Sequence, residues 1–336
     1  MKRICLGVVL VYVALLLIAP PAAAQSQPNP CLNITTWWIT DPLPAGYFYY
    51  GTYPGAFVYL VAVHGTQCSP PPECPCSAGA SAPTGGWPVY LANGDTYIEQ
   101  NDISLPGLGG GLSVRRTWNS VWPANEAAYS IGLFGPNWRS TYEERVFMGG
   151  DNYLRYARSD GGFWAFGLAS SGSFVPVSPA NLSATLTQTA SYWLITFKSG
   201  EQRHFDLHTG LLTAIVDRNG NTTQLAYDGT NRLTSVTDPA SRHLYFNYNG
   251  SSLLVSSITS DFGVTYSYGY DAQNRLYQVT KPDLTTITYT YNLLSQITQV
   301  TDSDGKVLET HTYDSSGRGL TASQANGVNA ITLTYP

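Results

Sequence analysis

From residue 201 onward, bulky and polar residues alternate with period two inside a longer period of 21 or 22 residues. An aromatic residue followed by Asp or Asn, or lying at the chain end, recurs at Phe205, Tyr227, Tyr248, Tyr270, Tyr291, Tyr313 and Tyr335. Two residues before the last six stand Leu225, Phe246, Tyr268, Tyr289, His311 and Leu333. Two further back stand Thr223, Leu244, Tyr266, Ile287, Glu309 and Ile331. The positions just before the aromatic are small or polar: Ala226, Asn247, Gly269, Thr290, Thr312 and Thr334. Side chains of a strand point alternately to its two faces, so every copy turns the same bulky face inward.

Each copy predicts a β-hairpin. Polar tetrads such as Asp228-Gly229-Thr230-Asn231, Asp271-Ala272-Gln273-Asn274 and Asp314-Ser315-Ser316-Gly317 supply the turns. An Asp side chain suits such a turn because it can accept backbone N–H bonds two residues on. Second strands begin at Arg232-Leu233, Arg275-Leu276 and Arg318-Gly319-Leu320. Leu233 and Val236, like Leu276 and Val279, lie three apart and break the alternation; a β-bulge brings both to the core. Return turns follow at Asp238-Pro239, Lys281-Pro282-Asp283, Ser303-Asp304-Gly305 and Asn326-Gly327.

Upstream, residues 89–200 carry shorter strand runs. Leu112, Val114, Arg116 and Trp118 share one face of a strand. Glu143 to Met148, Tyr153 to Arg158 and Phe163 to Phe166 are separated by Gly, Asp, Asn and Ser turn residues. The expected fold is all-β: antiparallel β-hairpin repeats over 201–336, stacked into a curved open sheet and preceded by a β-rich domain over 89–200.

Tyr227-Asp228…Arg232-Leu233, Tyr270-Asp271…Arg275-Leu276 and Tyr313-Asp314…Arg318 resemble the YD repeat of RHS proteins, which also occurs in bacterial insecticidal toxin complexes and in teneurins. Arg115-Arg116-Thr117-Trp118-Asn119-Ser120 and the run Phe134 to Tyr142 resemble the domain of unknown function that commonly precedes RHS repeats. Three copies depart from the pattern: Tyr248 and Tyr291 are followed by Asn, and Tyr335 by Pro336. The resemblance implies a sheet that spirals into a shell, often around a C-terminal toxin. It makes the chain an expected non-enzymatic scaffold of an RHS-type surface or toxin-delivery protein (polymorphic toxin-like), presenting or enclosing cargo, with further chain or a toxin as partner. About twelve repeat strands at roughly 4.8 Å each span on the order of 60 Å. Encircling even a ~30 Å domain takes a perimeter of about 100 Å, so a partial shell is expected. The family's self-cleaving core segment and toxin domain have no counterpart in the sequence.

The first 24 residues read as a secretory signal. Lys2 and Arg3 precede an apolar run from Ile4 to Ala19, and Ala22-Ala23-Ala24 suits cleavage between Ala24 and Gln25. An uncleaved anchor is the competing reading, although the run is shorter than a full span. No later segment is apolar for long enough to cross a bilayer; Phe57 to Val63 reads as a strand. The expected location is therefore secreted or at the cell envelope. Residues 25–88 are rich in Pro, Gly, Cys and aromatics and include linker-like runs at Ser69 to Glu73 and Ser77 to Gly86. Cys31, Cys68, Cys74 and Cys76 all fall there and are disulfide candidates for an oxidising compartment. Bridging Cys74 to Cys76 is disfavoured by its one-residue loop. A metal site of His64 with Cys68, Cys74 and Cys76 is the alternative, with a spacing that matches no standard zinc pattern.

Composition narrows the function. Only 12% of residues are charged and the net charge is −5, so the chain lacks the basic face that nucleic acid requires. Glu143 and Glu144 are adjacent, face opposite ways and read as solvated strand residues. His204 and His208 flank Asp206, a conceivable metal cluster, yet Phe205-Asp206 is a repeat signature followed by its turn. His311 fills an inward repeat position. Gly107 to Gly111 lacks the Lys-Ser/Thr of a phosphate loop. No catalytic set, metal or cofactor is expected. The alternative function is a carbohydrate- or cell-surface-binding module using outward aromatics such as Tyr277, since aromatic faces stack on sugars.

Overall fold

The computed structural model describes residues 88–91, 93–122, 131–149, 153–169 and 173–335. Upstream it describes the backbone of three strands, β1 (Leu32–Trp38), β2 (Phe48–Thr52) and β3 (Val58–His64). These pair antiparallel in the order β1-β3-β2, and β3 answers the apolar run read at 57–63. The signal segment, Ala24, Gln25, Cys31, Cys68, Cys74 and Cys76 lie outside the described residues.

A second three-stranded sheet is built from β4 (Tyr97–Leu105), β5 (Leu112–Asn119) and, after the two-residue strands β6 (Ile131–Gly132) and β7 (Gly135–Pro136), β8 (Trp138–Ser140). Its order is β4-β5-β8. Leu112, Val114, Arg116 and Trp118 do share one face, and all four are buried.

The main sheet has nineteen antiparallel strands, each paired with its neighbour in sequence. Its first part runs β9 (Arg145–Met148), β10 (Leu154–Ala157), β11 (Phe163–Leu168), β12 (Phe174–Ser178), β13 (Thr185–Gln188) and β14 (Tyr192–Thr196). Repeat strands follow as β15 (Gln202–Asp206), β16 (Leu212–Val216), β17 (Thr222–Tyr227), β18 (Leu233–Thr237), β19 (His243–Tyr248) and β20 (Val255–Ser260). The last are β21 (Thr265–Tyr270), β22 (Leu276–Thr280), β23 (Thr286–Tyr291), β24 (Ile297–Asp302), β25 (Val307–Tyr313), β26 (Gly319–Gln324) and β27 (Val328–Thr332). The ladder crosses residue 200 without a break, because β14 pairs with β15 over five residues.

β9 pairs with β10 along one edge. On its other edge Arg145 bridges Leu211, and the Val146 N–H donates to the Gly210 carbonyl at 2.9 Å. The sheet therefore curls until its first strand meets the turn before its eighth, then continues as an open wall to β27. Among the described residues β27 pairs with β26 and with no other strand.

The inward face follows the sequence register. Leu225, Phe246, Tyr268, Tyr289 and His311 are buried, as are Thr223, Leu244 and Ile287. The expected bulges are present at six of the seven signatures, where the register slips at Phe205, Tyr227, Tyr248, Tyr270, Tyr291 and Tyr313; Tyr335 lies beyond the last strand. Each slip lets two residues three apart both face inward, and Leu233 with Val236, and Leu276 with Val279, are all essentially inaccessible.

Candidate functional site

The repeat signature acts as a bonded relay between successive hairpins. In the Asp228 turn, Oδ1 accepts the N–H groups of Thr230 and Arg232 at 2.8 and 3.0 Å, and Oδ2 accepts Nε of Arg232 at 2.7 Å. Asp271 with Gln273 and Arg275, and Asp314 with Ser316 and Arg318, repeat this geometry. The Thr230 hydroxyl and the Arg232 amide and guanidinium hold the Asp228 carboxyl well below the usual range. The guanidinium then lies over the next signature ring: Arg232 over Tyr248, Arg275 over Tyr291 and Arg318 over Tyr335, at 4.9, 4.8 and 4.2 Å. Each signature hydroxyl donates to the carbonyl that opens an earlier second strand: Tyr227 to Leu212, Tyr248 to Leu233, Tyr270 to Val255, Tyr291 to Leu276 and Tyr335 to Gly319, at 2.7–2.8 Å, and Tyr313 to Ile297 at 2.5 Å. Phe205 has no hydroxyl to donate and is fully buried. In the Asn292 copy an amide pair, Asn292 to Gln296 at 2.7 Å, replaces the ion pair.

The inner face of this wall is covered by the chain's own β4-β5-β8 sheet. Phe134 meets Tyr268 at 4.8 Å, Trp138 meets Tyr289 at 5.3 Å and Trp118 meets Tyr313 at 6.3 Å, all edge-to-face. The backbones join as well, with Val255 N–H donating to Leu133 at 2.9 Å and Gly319 N–H to Gly94 at 2.8 Å. Gly135 sits in the left-handed region (φ 94°), and a Cβ there would stand 2.6 Å from the Asn274 carbonyl oxygen. A larger residue would push the inner sheet off the wall.

At the centre of that contact is a buried ion pair. Asp102 is the extra residue of a bulge in β4, between Asn101 and Ile103, and the bulge aims its carboxylate at Arg116. Arg116 Nε and Nη2 donate to it at 2.6 and 2.9 Å, and Tyr268 of the wall donates its hydroxyl at 2.8 Å. The Arg116 guanidinium also lies 4.9 Å over the Trp138 ring. Burial, and then the Asp102 charge, push the Tyr268 phenol far up, so it stays a donor. Arg116 stands in phase with Leu112, Val114 and Trp118, which is the available signal for its burial; the signal for Asp102 is fainter, the odd five-residue step between the apolar Ile98 and Ile103, which a bulge between them reconciles.

The structure separates the remaining candidates. Asp206 spends Oδ1 on the amides of His208 and Thr209, at 3.0 and 2.7 Å, while His204 stacks on Tyr192 at 4.2 Å. Among the described residues no three His, Cys, Asp or Glu side chains form a group able to hold a metal. His311 is buried with Nε2 3.2 Å from Glu309. Glu143 and Glu144 correct the sequence reading. They precede β9, which starts at Arg145, and neither is a solvated strand residue. Glu144 is 6% exposed and accepts from Tyr156 and Arg203 at 2.7 and 2.9 Å. Glu143 accepts the Leu133 amide at 2.5 Å, and its other oxygen is buried.

Residues 86–166 match the domain of unknown function DUF6531, and residues 206–243 match the RHS Repeat family. The chain is 29% identical over 143 residues to the tRNA nuclease WapA of Bacillus subtilis (strain 168). It is equally similar to the tRNA3(Ser)-specific nuclease WapA of Bacillus spizizenii. The match covers 43% of this chain and 6% of each relative, so the chain corresponds to a small part of those proteins. Similar solved structures include TcdB2-TccC3 without its hypervariable C-terminal region, at 12% identity and TM-score 0.30 over 71% of this chain and 16% of that one. The Photorhabdus luminescens Tc holotoxin pore is similar at 12% identity and TM-score 0.24, over 68% of this chain and 14% of that one.

Proposed function

We infer that this chain, an RHS-repeat protein with a DUF6531 domain ahead of its repeats, is an exported, non-enzymatic scaffold that forms part of a toxin-related shell. The carrying observation is the inner β4-β5-β8 sheet, which fills the concave face of the repeat wall through the Asp102–Arg116–Tyr268 cluster. A face filled by its own chain has no room for cargo. The scaffold therefore presents or encloses cargo beyond β27, whose outer backbone edge accepts further strands, from this or another chain. Its acidic groups are engaged in building turns, as at Asp228, Asp271 and Asp314, which supports architecture over chemistry. Export follows from the signal-like residues 1–24 and goes with disulfides among Cys31, Cys68, Cys74 and Cys76. The test is incubation of the purified chain, starting at Gln25, with total tRNA. The scaffold reading expects intact tRNA; cleavage that survives repurification overturns it.

A second reading, binding to a surface glycan or protein through outward aromatics, is favoured by one observation. Tyr277 is the extra residue of its bulge and its ring lies within 3.0–3.4 Å of where a Gly269 Cβ would be, leaving a 41% exposed aromatic on the outer face. His243 and Tyr245 stack in parallel on the same face, 5.6 Å apart. Retained glycans on an array, lost in Tyr277→Ala, are the outcome this reading expects; an empty array removes it.

A further inference from the structure

We propose that one rim of the repeat wall, the one formed by the turns that follow the signature tyrosines, docks on a phospholipid bilayer through leucine-tipped turns. Five such turns lie side by side on this rim, at residues 228–231, 249–254, 271–274, 292–295 and 314–317. Leu293 is fully exposed, and Leu294 and Leu253 are 67% and 64% exposed. Ile131, 66% exposed, lines the same cleft as Leu253 and extends the apolar row.

Turn formation does not call for these leucines. Asn292 Oδ1 accepts the N–H groups of Leu294 and Gln296 at 2.9 and 3.0 Å, and the side chains of Leu293 and Leu294 take no part. The equivalent tips in the Asp turns are Gly229-Thr230, Ala272-Gln273 and Ser315-Ser316. Apolar tips thus stand in the two turns that begin with Asn and alternate with the Asp turns. Leu253 and Leu293 precede strands β20 and β24, four strands apart, or roughly 19 Å at about 4.8 Å per strand. Each apolar turn is gripped by the arginine of the repeat before it. Arg232 Nη1 donates to the carbonyls of Gly250 and Ser252 at 2.8 and 3.2 Å, and Arg275 Nη1 donates to that of Asn292 at 3.2 Å. The leucines are therefore presented on anchored backbone.

Charge decides which rim docks and on what. The charged residues of these five turns are Asp228, Asp271 and Asp314 with the arginines that follow them, half-buried in ion pairs at 2.7 Å. The opposite rim also bears apolar tips, Phe262 and Leu284, but it exposes Arg218, Asp261, Asp283, Asp304 and Lys306 beside them. Charge is expensive in a bilayer, so the rim without exposed charge is the one that can enter. Separate protruding tips suit a fluid medium that closes around each of them, whereas a rigid partner would need two matched pockets about 19 Å apart. A rim whose charges are already paired has no requirement for anionic lipid.

The test is flotation of the chain from Gln25 onward, which lacks the apolar run Ile4 to Ala19, with vesicles of pure phosphatidylcholine. The proposal expects saturable flotation at up to about 1 mM lipid, the weak range that a few shallow apolar anchors supply. Leu293→Ser/Leu294→Ser should lower the partition at least about tenfold, because full burial of one leucine alone is worth about that much. Leu253→Ser should lower it severalfold. These side chains are exposed in the free protein, so both variants should keep the parent's urea midpoint. Leu284→Asn, on the charged rim, should leave flotation unchanged. Adding about 30% phosphatidylglycerol, or raising salt to about 0.5 M, should change flotation less than about twofold, since no exposed charge takes part. No flotation, flotation undiminished in Leu293→Ser/Leu294→Ser, or flotation that needs phosphatidylglycerol and vanishes in salt each overturns the proposal.

Discussion

Arg116 grips both carboxylate oxygens of Asp102 at 2.6 and 2.9 Å, with side-chain exposures of 1% and 5%, at the contact between the inner sheet and the repeat wall. Removing one partner leaves the other charged and buried, so Asp102→Ala should cost about 3–5 kcal/mol in urea unfolding and also strip the Tyr268 hydroxyl of its acceptor. The double variant Asp102→Leu/Arg116→Met should recover most of that loss, since an apolar pair needs no compensation. A double variant as unstable as the single one would mean that the cost comes from disturbed packing.

The signature hydroxyls should each be worth a modest, separable amount. Tyr291→Phe keeps the ring beneath Arg275 and removes the 2.7 Å bond to the Leu276 carbonyl together with the long 3.5 Å bond accepted from Trp138 Nε1, so a loss of about 1–2 kcal/mol is expected. Tyr291→Ala loses the ring too and should cost about 3–5 kcal/mol. Equilibrium denaturation of the two variants checks the ordering.

Leu284 is 81% exposed yet sits at φ 67°, in the return turn between β22 and β23. Its side chain gains little burial there, and the left-handed conformation strains it by roughly 1–2 kcal/mol. The corresponding first-turn positions are Asn231 and Asn274, with φ 64° and 61°. Leu284→Asn should therefore raise stability by about 0.5–1 kcal/mol, seen as a higher Tm.

Asp95 gives the fold a pH dependence of known sign. It is 1% exposed, accepts from Val121 N–H at 3.0 Å, and burial pushes its carboxyl up to about 7. Unfolded, it ionises near 3.8. Between those values the folded state keeps a proton that the unfolded state has released, so this residue's contribution falls as pH rises from about 4 to about 7 and is level above that. Asp95→Asn lacks that slope. Relative to the parent it should gain stability across that window, by at most roughly 1.4 kcal/mol per pH unit, as followed by urea unfolding at pH 4, 5.5 and 7.

Much of the wall was legible in the residues. Leu225, Phe246, Tyr268 and Tyr289 recur in phase, and the three-residue step from Leu233 to Val236 betrayed the bulge. The roles of Asp228 and Arg232 were half legible: the turn bond is local, but the reach of Arg232 over Tyr248 crosses into the next hairpin. Glu143 and Glu144 were misread because adjacency in sequence says nothing about what is packed on top of them.

By itself the sequence determined what depends on near neighbours along the chain: strand phase, turn chemistry, the repeat period and the bulge that reconciles them. Those are set by backbone geometry and by side chains within a few residues of one another, so they recur wherever the local pattern recurs. Only the tertiary structure decided which surface lies inside the wall, that β4-β5-β8 fills it, and that Asp102 meets Arg116 and Tyr268, 166 residues apart in the last case. Such contacts join segments with no common periodicity, and their energy exists only once both are desolvated together, which no linear pattern records.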